Sequence, residues 1–264
     1  MHILFIGDIV GTPGRRILHD RLRALLADYP SDLVVANGEN AAAGLGINAV
    51  ILNELFALGV HAITMGNHTW SKKEIFNIVE SEPRLIRPFN VSPLWPGNGY
   101  WVSRTDPPVL VANLIGQVYM DPADNPFHAL DRQLDAWKAS AGTRIVLIDF
   151  HAEATAEKVA FARFFDGRVT AVLGTHTHVQ TADEMLMERG TAYITDVGMT
   201  GPVDGIIGMD SASSLRRFVD RLPSPFATAQ GRAMINAVWI EADPATGRAI
   251  SIERIRIVEE ATLG

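Results

Sequence analysis

The sequence predicts an α/β protein with two sheets flanked by helices. Three observations predict it. A strand–helix–strand rhythm runs through the first third of the 264 residues, short β-like runs among clustered prolines fill the middle, and the α/β rhythm returns before a strand-rich end. The first and third patterns imply parallel strands joined by right-handed helical crossovers. The middle implies antiparallel pairing.

Residues 2–7 form an apolar run that reads as a buried strand. Pro13 lies where it can start a helix, and Ile17, Leu18, Leu22, Leu25 and Leu26 supply an apolar stripe at helical spacing. Residues 33–36 read as a second strand, 47–58 as a helix closed by Gly59, 60–65 as a third strand and 72–79 as a short helix. The runs 100–104 and 109–114 look antiparallel, beginning a second sheet or extending an edge of the first. A helix over 127–140 follows, then a strand over 144–150, a helix over 154–165 and a strand over 169–173. The runs 192–195, 233–241 and 250–258 read as strands. No repeat or linker divides the chain, so one domain over residues 1–264 is expected.

Hydrophobic residues make up 47% and charged residues 20% of the chain, an ordinary globular balance. The absence of cysteine excludes disulfides, thiolate metal sites and thiol nucleophiles. A formal net charge of −7 argues against a groove for long nucleic acid. No apolar run is long enough for a membrane span, and the opening residues lack a leader's basic start, so a cytoplasmic protein without membrane contact is expected. A homo-oligomer stays open.

Polar residues fall at the ends of the apolar runs, where open α/β sheets bind ligands. Asp8 follows the first run, Glu39 and Asn40 the second, Asn67 and His68 the third. His151 follows the run ending at Phe150, and His176 and His178 follow the run ending at Gly174. If that last run is a strand extending through the histidines, side chains two apart share a face and both rings converge. Singly, Asp8 reads as a capping residue, Asn67 as a turn residue and His151 as a buried histidine. Together they read as a metal site. His2, His19, His61 and His128 show no such placement.

Carboxylate, amide and imidazole without sulfur suit manganese, iron or zinc. Three histidines and two carboxylates exceed what one catalytic ion needs. Two ions about 3.5–4 Å apart explain the surplus, an arrangement that serves attack on phosphorus. The segment from Gly7 to Gly14 fails the spacing of both the dinucleotide fingerprint and the P-loop. It reads as a glycine-rich turn before a helix, with Arg15 and Arg16 solvated.

Gly7-Asp8, Gly38-Glu39-Asn40, Gly66-Asn67-His68, His151 and His176-Thr177-His178 resemble the motifs of the calcineurin-like metallophosphoesterase superfamily. Two positions depart from its usual pattern: Val10 stands where that superfamily has a histidine, and Glu39 where it has an aspartate. Both departures, with the segments 37–42, 64–70, 149–155, 174–184 and 193–202, are similar to the YmdB-like bacterial phosphoesterases. The likeness weakens beyond about residue 211.

This resemblance implies a four-layer αββα sandwich, two mixed sheets flanked by helices, with a di-metal centre of iron or manganese. It implies hydrolysis of 2′,3′- or 3′,5′-cyclic nucleotides by metal-activated hydroxide. By that resemblance Asp8, Glu39, Asn40 and His178 serve one metal, with Asn40 compensating for the absent histidine. Glu39 bridges to a second metal held by Asn67, His151 and His176, and His68 acts as general acid. A phosphomonoesterase, or a metal-binding regulatory protein with little turnover, are the competing readings.

Overall fold

The computed structural model describes residues 1–225 and 227–260. The last four residues of the expected domain lie outside the described residues. In chain order the elements begin β1 (His2–Ile6), β2 (Asp8–Ile9), α1 (Gly11–Asp28), β3 (Leu33–Asn37), α2 (Ala49–Ala57), β4 (Ala62–Thr64) and β5 (Leu85–Ile86). They continue β6 (Tyr100–Val102), β7 (Val109–Ile115), α3 (Pro126–Ala141), β8 (Ile145–His151), α4 (Thr155–Phe164) and β9 (Ala171–Thr175). Last come β10 (Met185–Leu186), β11 (Ala192–Ile194), β12 (Met199–Pro202), α5 (Ser211–Val219), β13 (Ala233–Ala242) and β14 (Ala249–Val258).

One sheet runs β2-β12-β13-β1-β3-β4-β5, with β14 on the other edge of β13. Within it β1, β3, β4 and β5 are parallel, and β13 is antiparallel to β1. The second sheet runs β10-β11-β9-β8-β7-β6, parallel from β11 to β7 and antiparallel at both edges. The period-2 alternation of each strand sorts its side chains between layers. Ile3, Phe5, Leu33 and Val35 face Val109, Val111, Ile145 and Leu147 between the sheets. Their neighbours Leu4, Ile6, Val34 and Ala36 pack against Ile17 and Leu22 of α1 and Leu52 and Leu55 of α2. On the far side Leu110, Val146 and Phe150 pack against Leu134 of α3 and Phe161 of α4. These three cores make the four layers, with helices outside both mixed sheets. Among the described residues, no helix is long and apolar enough to cross a membrane.

Several local readings need correction. The first helix begins at Gly11, two residues before Pro13. The short element after β4 is a 3-10 turn over Lys73–Asn77 rather than a helix reaching residue 79. Residues 211–219, in a region read as mostly strand, are helix α5, started by Asp210, whose carboxylate accepts from Ser213 N. Strand β9 stops at Thr175, so neither His176 nor His178 lies on a strand.

Candidate metal centre

The parallel strands of both sheets deliver their carboxyl ends to one place, and all eight candidate residues join one contact network there. Asp8 opens β2 immediately after Gly7. Glu39 and Asn40 follow β3, Asn67 and His68 follow β4, and His151 is the last residue of β8. Asp8, Glu39 and His151 are almost wholly removed from solvent. Gly66 lies flush against the centre: a Cβ there would stand 2.3 Å from Glu39 Oε2 and 2.4 Å from His151 Nε2.

His176 and His178 reach the centre by a different route from the one strand geometry predicts. Both take positive φ, 104° and 66°, in a turn beyond β9, a conformation costly for residues with a Cβ. Asp196 fixes that turn. Its Oδ2 accepts from Thr177 N at 3.0 Å and Thr177 Oγ1 at 2.7 Å, and also from the buried Lys158 Nζ at 2.8 Å. The two rings diverge, His176 towards His151 and His178 towards Asn40.

Three imidazoles share one arrangement. His151 Nδ1 donates to Thr175 Oγ1 at 2.8 Å, because that hydroxyl gives its own proton to Asp149 Oδ1 at 2.6 Å. His178 Nδ1 donates to the carbonyl of Ile207 at 2.9 Å. His176 turns Nε2 towards Glu153 Oε2 at 3.3 Å. The outer nitrogens of His151 and His178 are thus held by oxygen and that of His176 lies close to one, which turns the inner nitrogen of each ring towards the centre, where it offers a lone pair once unprotonated. Around His151 Nε2 lie Asn67 Oδ1 at 3.0 Å, His176 Nδ1 at 3.0 Å and Glu39 Oε1 at 3.2 Å. One N–H cannot satisfy three acceptors. Asp8 adds a buried oxygen, Oδ1, with no hydrogen-bond partner among the described residues, while its Oδ2 accepts from His176 N. Such a surplus of lone pairs fits a metal cation, and Glu39, His151 and His176 offer ligand atoms within 4.8 Å of one another.

The protonation equilibria carry the same signature. Burial pushes the Asp8 carboxyl up to about 7, against the pull of His178 and His151. Burial also works to raise Glu39, but the charge and hydrogen bond of His151, with His68, hold it well below the usual carboxylate range. His151 rises to about 9, because Glu39 and Asp8 outweigh the burial that opposes its charge. Burial, reinforced by His151, pushes His176 down to about 3. A proton on His151 thus supplies the positive charge that the carboxylates demand.

Asn40 and His68 are arranged differently. Asn40 Nδ2 donates to Glu39 Oε1 at 3.2 Å and lies 3.1 Å from His178 Nε2, while its Oδ1 accepts from His68 Nδ1 at 2.8 Å. His68 N donates to Glu39 Oε2, and the His68 ring remains partly open to solvent. Arg15 and Arg16, read from the sequence as solvated, pair with Glu54 and Glu259. Asp149, Lys158 and Asp196 are absent from the sequence reading. Their only signal lies next to the motifs, Asp149 two residues before His151 and Asp196 in the segment 193–202.

Fold and centre together define a metallophosphoesterase, a hydrolase of phosphoric esters. The sequence profile described as "YmdB-like protein" matches residues 4–255, and the chain belongs to that family. It is 46% identical over 98% of both chains to a Bacillus subtilis (strain 168) protein named 2′,3′-cyclic-nucleotide 2′-phosphodiesterase. A Thermus thermophilus crystal structure, described as a hypothetical protein, superposes with a TM-score of 0.92 at 42% identity, covering 98% of this chain and all of that one. A Mycoplasma pneumoniae structure, described as a novel phosphatase, gives 0.92 at 37% identity, with 99% and 95% covered.

Proposed function

We propose that this chain is a metal-dependent phosphodiesterase that opens nucleoside 2′,3′-cyclic phosphates. The observation that carries the reading is the convergence of three imidazoles, two of them anchored through their outer nitrogens, beside two buried carboxylates. The name of the 46%-identical Bacillus subtilis relative supports the substrate. Asp8, Glu39, Asn40 and His178 would hold one ion, and Glu39, Asn67, His151 and His176 a second, with Glu39 shared. Manganese or iron suits this donor set, and zinc fits it too. Bound there, the ions would supply Lewis-acid chemistry: charge neutralisation at the phosphoryl oxygens and acidification of the attacking water.

The chain's own residues then have separable tasks. Asp149, through Thr175, keeps the proton of His151 on Nδ1 and its lone pair directed inward. Asn40 ligates only with its oxygen turned inward, a reversal of the orientation in which its NH₂ faces Glu39 and His178. His68 has Nδ1 engaged, so Nε2 is the atom available to hand a proton to the departing ribose oxygen, an effect of roughly 10²–10⁴-fold.

The description of the Mycoplasma pneumoniae relative as a phosphatase supports a second reading, a phosphomonoesterase on the same centre. Steady-state turnover of 2′,3′-cyclic, 3′,5′-cyclic and linear nucleotides with added Mn²⁺ decides. Conversion of the 2′,3′-cyclic substrate to nucleoside 3′-phosphate is expected, and turnover of the 3′,5′-cyclic substrate would widen the specificity. Inorganic phosphate released only from linear nucleotides would establish the phosphomonoesterase. No turnover by fully metallated protein would leave a metal-binding regulatory protein.

A further inference from the structure

A groove of about 340 Å³ adjoins the metal centre, and His178 is part of its wall. That volume lies in the range of small-molecule sites. Met199, Ile207 and Met234 give it an apolar side, a surface suited to a flat heterocycle. Asn236, Arg254 and Arg256 line the rest. Asn236 on β13 is directly cross-strand from Arg256 on β14, and residues 254 and 256 share one face of that strand. Asn236 is buried, and its Oδ1 has no hydrogen-bond partner among the described residues, an unmet acceptor of the kind native structures rarely keep.

The two guanidiniums differ in what they do. Arg254 leans on the neighbouring loop, with Nε 3.3 Å from Glu184 Oε1 and Nη1 3.5 Å from the carbonyl of Thr181. The guanidinium of Arg256 makes no hydrogen bond or ion pair among the described residues. On a chain of net charge −7, this cationic pair beside a phosphoesterase centre is local rather than part of a general basic surface. Guanidinium forks match phosphoryl oxygens in geometry as well as charge.

We propose that this groove is a second substrate subsite, in which Arg256, supported by Arg254, binds the 5′-phosphoryl group of a nucleotide whose 2′,3′-cyclic phosphate occupies the metal centre. The inference rests on the phosphodiesterase reading and narrows it, from nucleoside cyclic phosphates to 5′-phosphorylated ones. A dianionic phosphate monoester fits two guanidiniums better than the singly charged linkage of an oligonucleotide does.

The test compares kcat/KM for a nucleoside 2′,3′-cyclic phosphate with and without a 5′-phosphate, in wild type, Arg256→Ala and Arg256→Lys. Wild type is expected to favour the 5′-phosphorylated substrate by about tenfold or more, the scale of one charge-assisted hydrogen bond. Arg256→Ala should bring that ratio near one, and Arg256→Lys should keep part of it. A wild-type ratio near one, or a ratio unaltered in Arg256→Ala, overturns the subsite. A dinucleotide ending in the cyclic phosphate should depend less on Arg256; a stronger dependence overturns the assignment to a mononucleotide. Calorimetric binding of nucleoside 3′,5′-bisphosphate against nucleoside 3′-monophosphate, in the same three proteins, reads the subsite without turnover. Arg256-dependent discrimination there, with no phosphodiester hydrolysed, upholds the subsite and refutes the phosphodiesterase. Equal affinities with intact hydrolysis do the reverse.

Discussion

Gly66 shows how little space the centre leaves. Its missing side chain is what allows Glu39 Oε2 and His151 Nε2 to lie where they do. Gly66→Ala is expected to displace one of them and strip metal from the purified protein, with the circular dichroism of the fold retained. Elemental analysis showing normal metal content would refute that role. For His68, the leaving group is the diagnostic. His68→Ala should lower kcat by about 10²–10⁴-fold on a nucleotide substrate, where an alkoxide must be protonated. An activated aryl phosphodiester, whose leaving group needs no proton, should lose far less. Equal losses on the two would assign His68 to phosphate binding instead. The raised value of His151, about 9, has a consequence in sign. At neutral pH its proton must leave before the nitrogen can ligate, whereas His176, at about 3, is already neutral. Metal uptake should therefore release protons. Apparent affinity should strengthen as pH rises towards 9, by roughly tenfold per unit for each proton displaced. Calorimetry in two buffers of different ionisation enthalpy counts them.

At the scale of elements, the turn carrying His176, Thr177 and His178 depends on a charge held elsewhere. Asp196→Asn weakens the clamp on Thr177 and leaves the buried Lys158 without its counter-ion. Metal affinity should fall about 10–100-fold, and stability by about 3–5 kcal/mol. Adding Lys158→Met should recover the stability measured by denaturant unfolding but not the affinity. Recovery of both would mean that Asp196 serves only the ion pair. This turn also marks where the sequence was legible and where it was not. The strand ends at Asp8, Glu39, Asn67 and His151 could be read because an apolar run announces its own end. His176 and His178 were found by their spacing, but the alternation expected of a strand is not what gathers them. Asp196, Lys158 and Asp149 were missed because each is defined by partners brought up from distant strands. Helix α5 was missed because its polar first turn hides the apolar residues Leu215, Phe218 and Val219, all of which face solvent.

Across the whole molecule, the centre spans the seam between the two sheets: Asp8, Glu39 and Asn67 come from one and His151 from the other. A ligand bound only by the assembled sandwich stabilises it by mass action, about 2.7 kcal/mol at a concentration 100 times the Kd. For a chain of this size that is on the order of 5–10 °C in Tm. Chelation should lower the midpoint in a scanning calorimeter by that amount, and restored Mn²⁺ should return it. A midpoint indifferent to chelator would show that the two sheets need no metal between them.

The place of β13 has a bearing on how the protein is made. It fills the edge of β1 and pairs with β12, which in turn pairs with β2, the strand that begins at Asp8. During synthesis every candidate ligand has left the ribosome's active centre once His178 is joined, yet the strand that holds β1 from that side ends only at Ala242. At ~5–20 residues per second, the nascent chain carries a full set of donors for on the order of 10 s before the first sheet can close. Any capture of metal by these residues would therefore wait for β13, and a ribosome stalled just beyond His178 would display the whole motif set without the closed sheet.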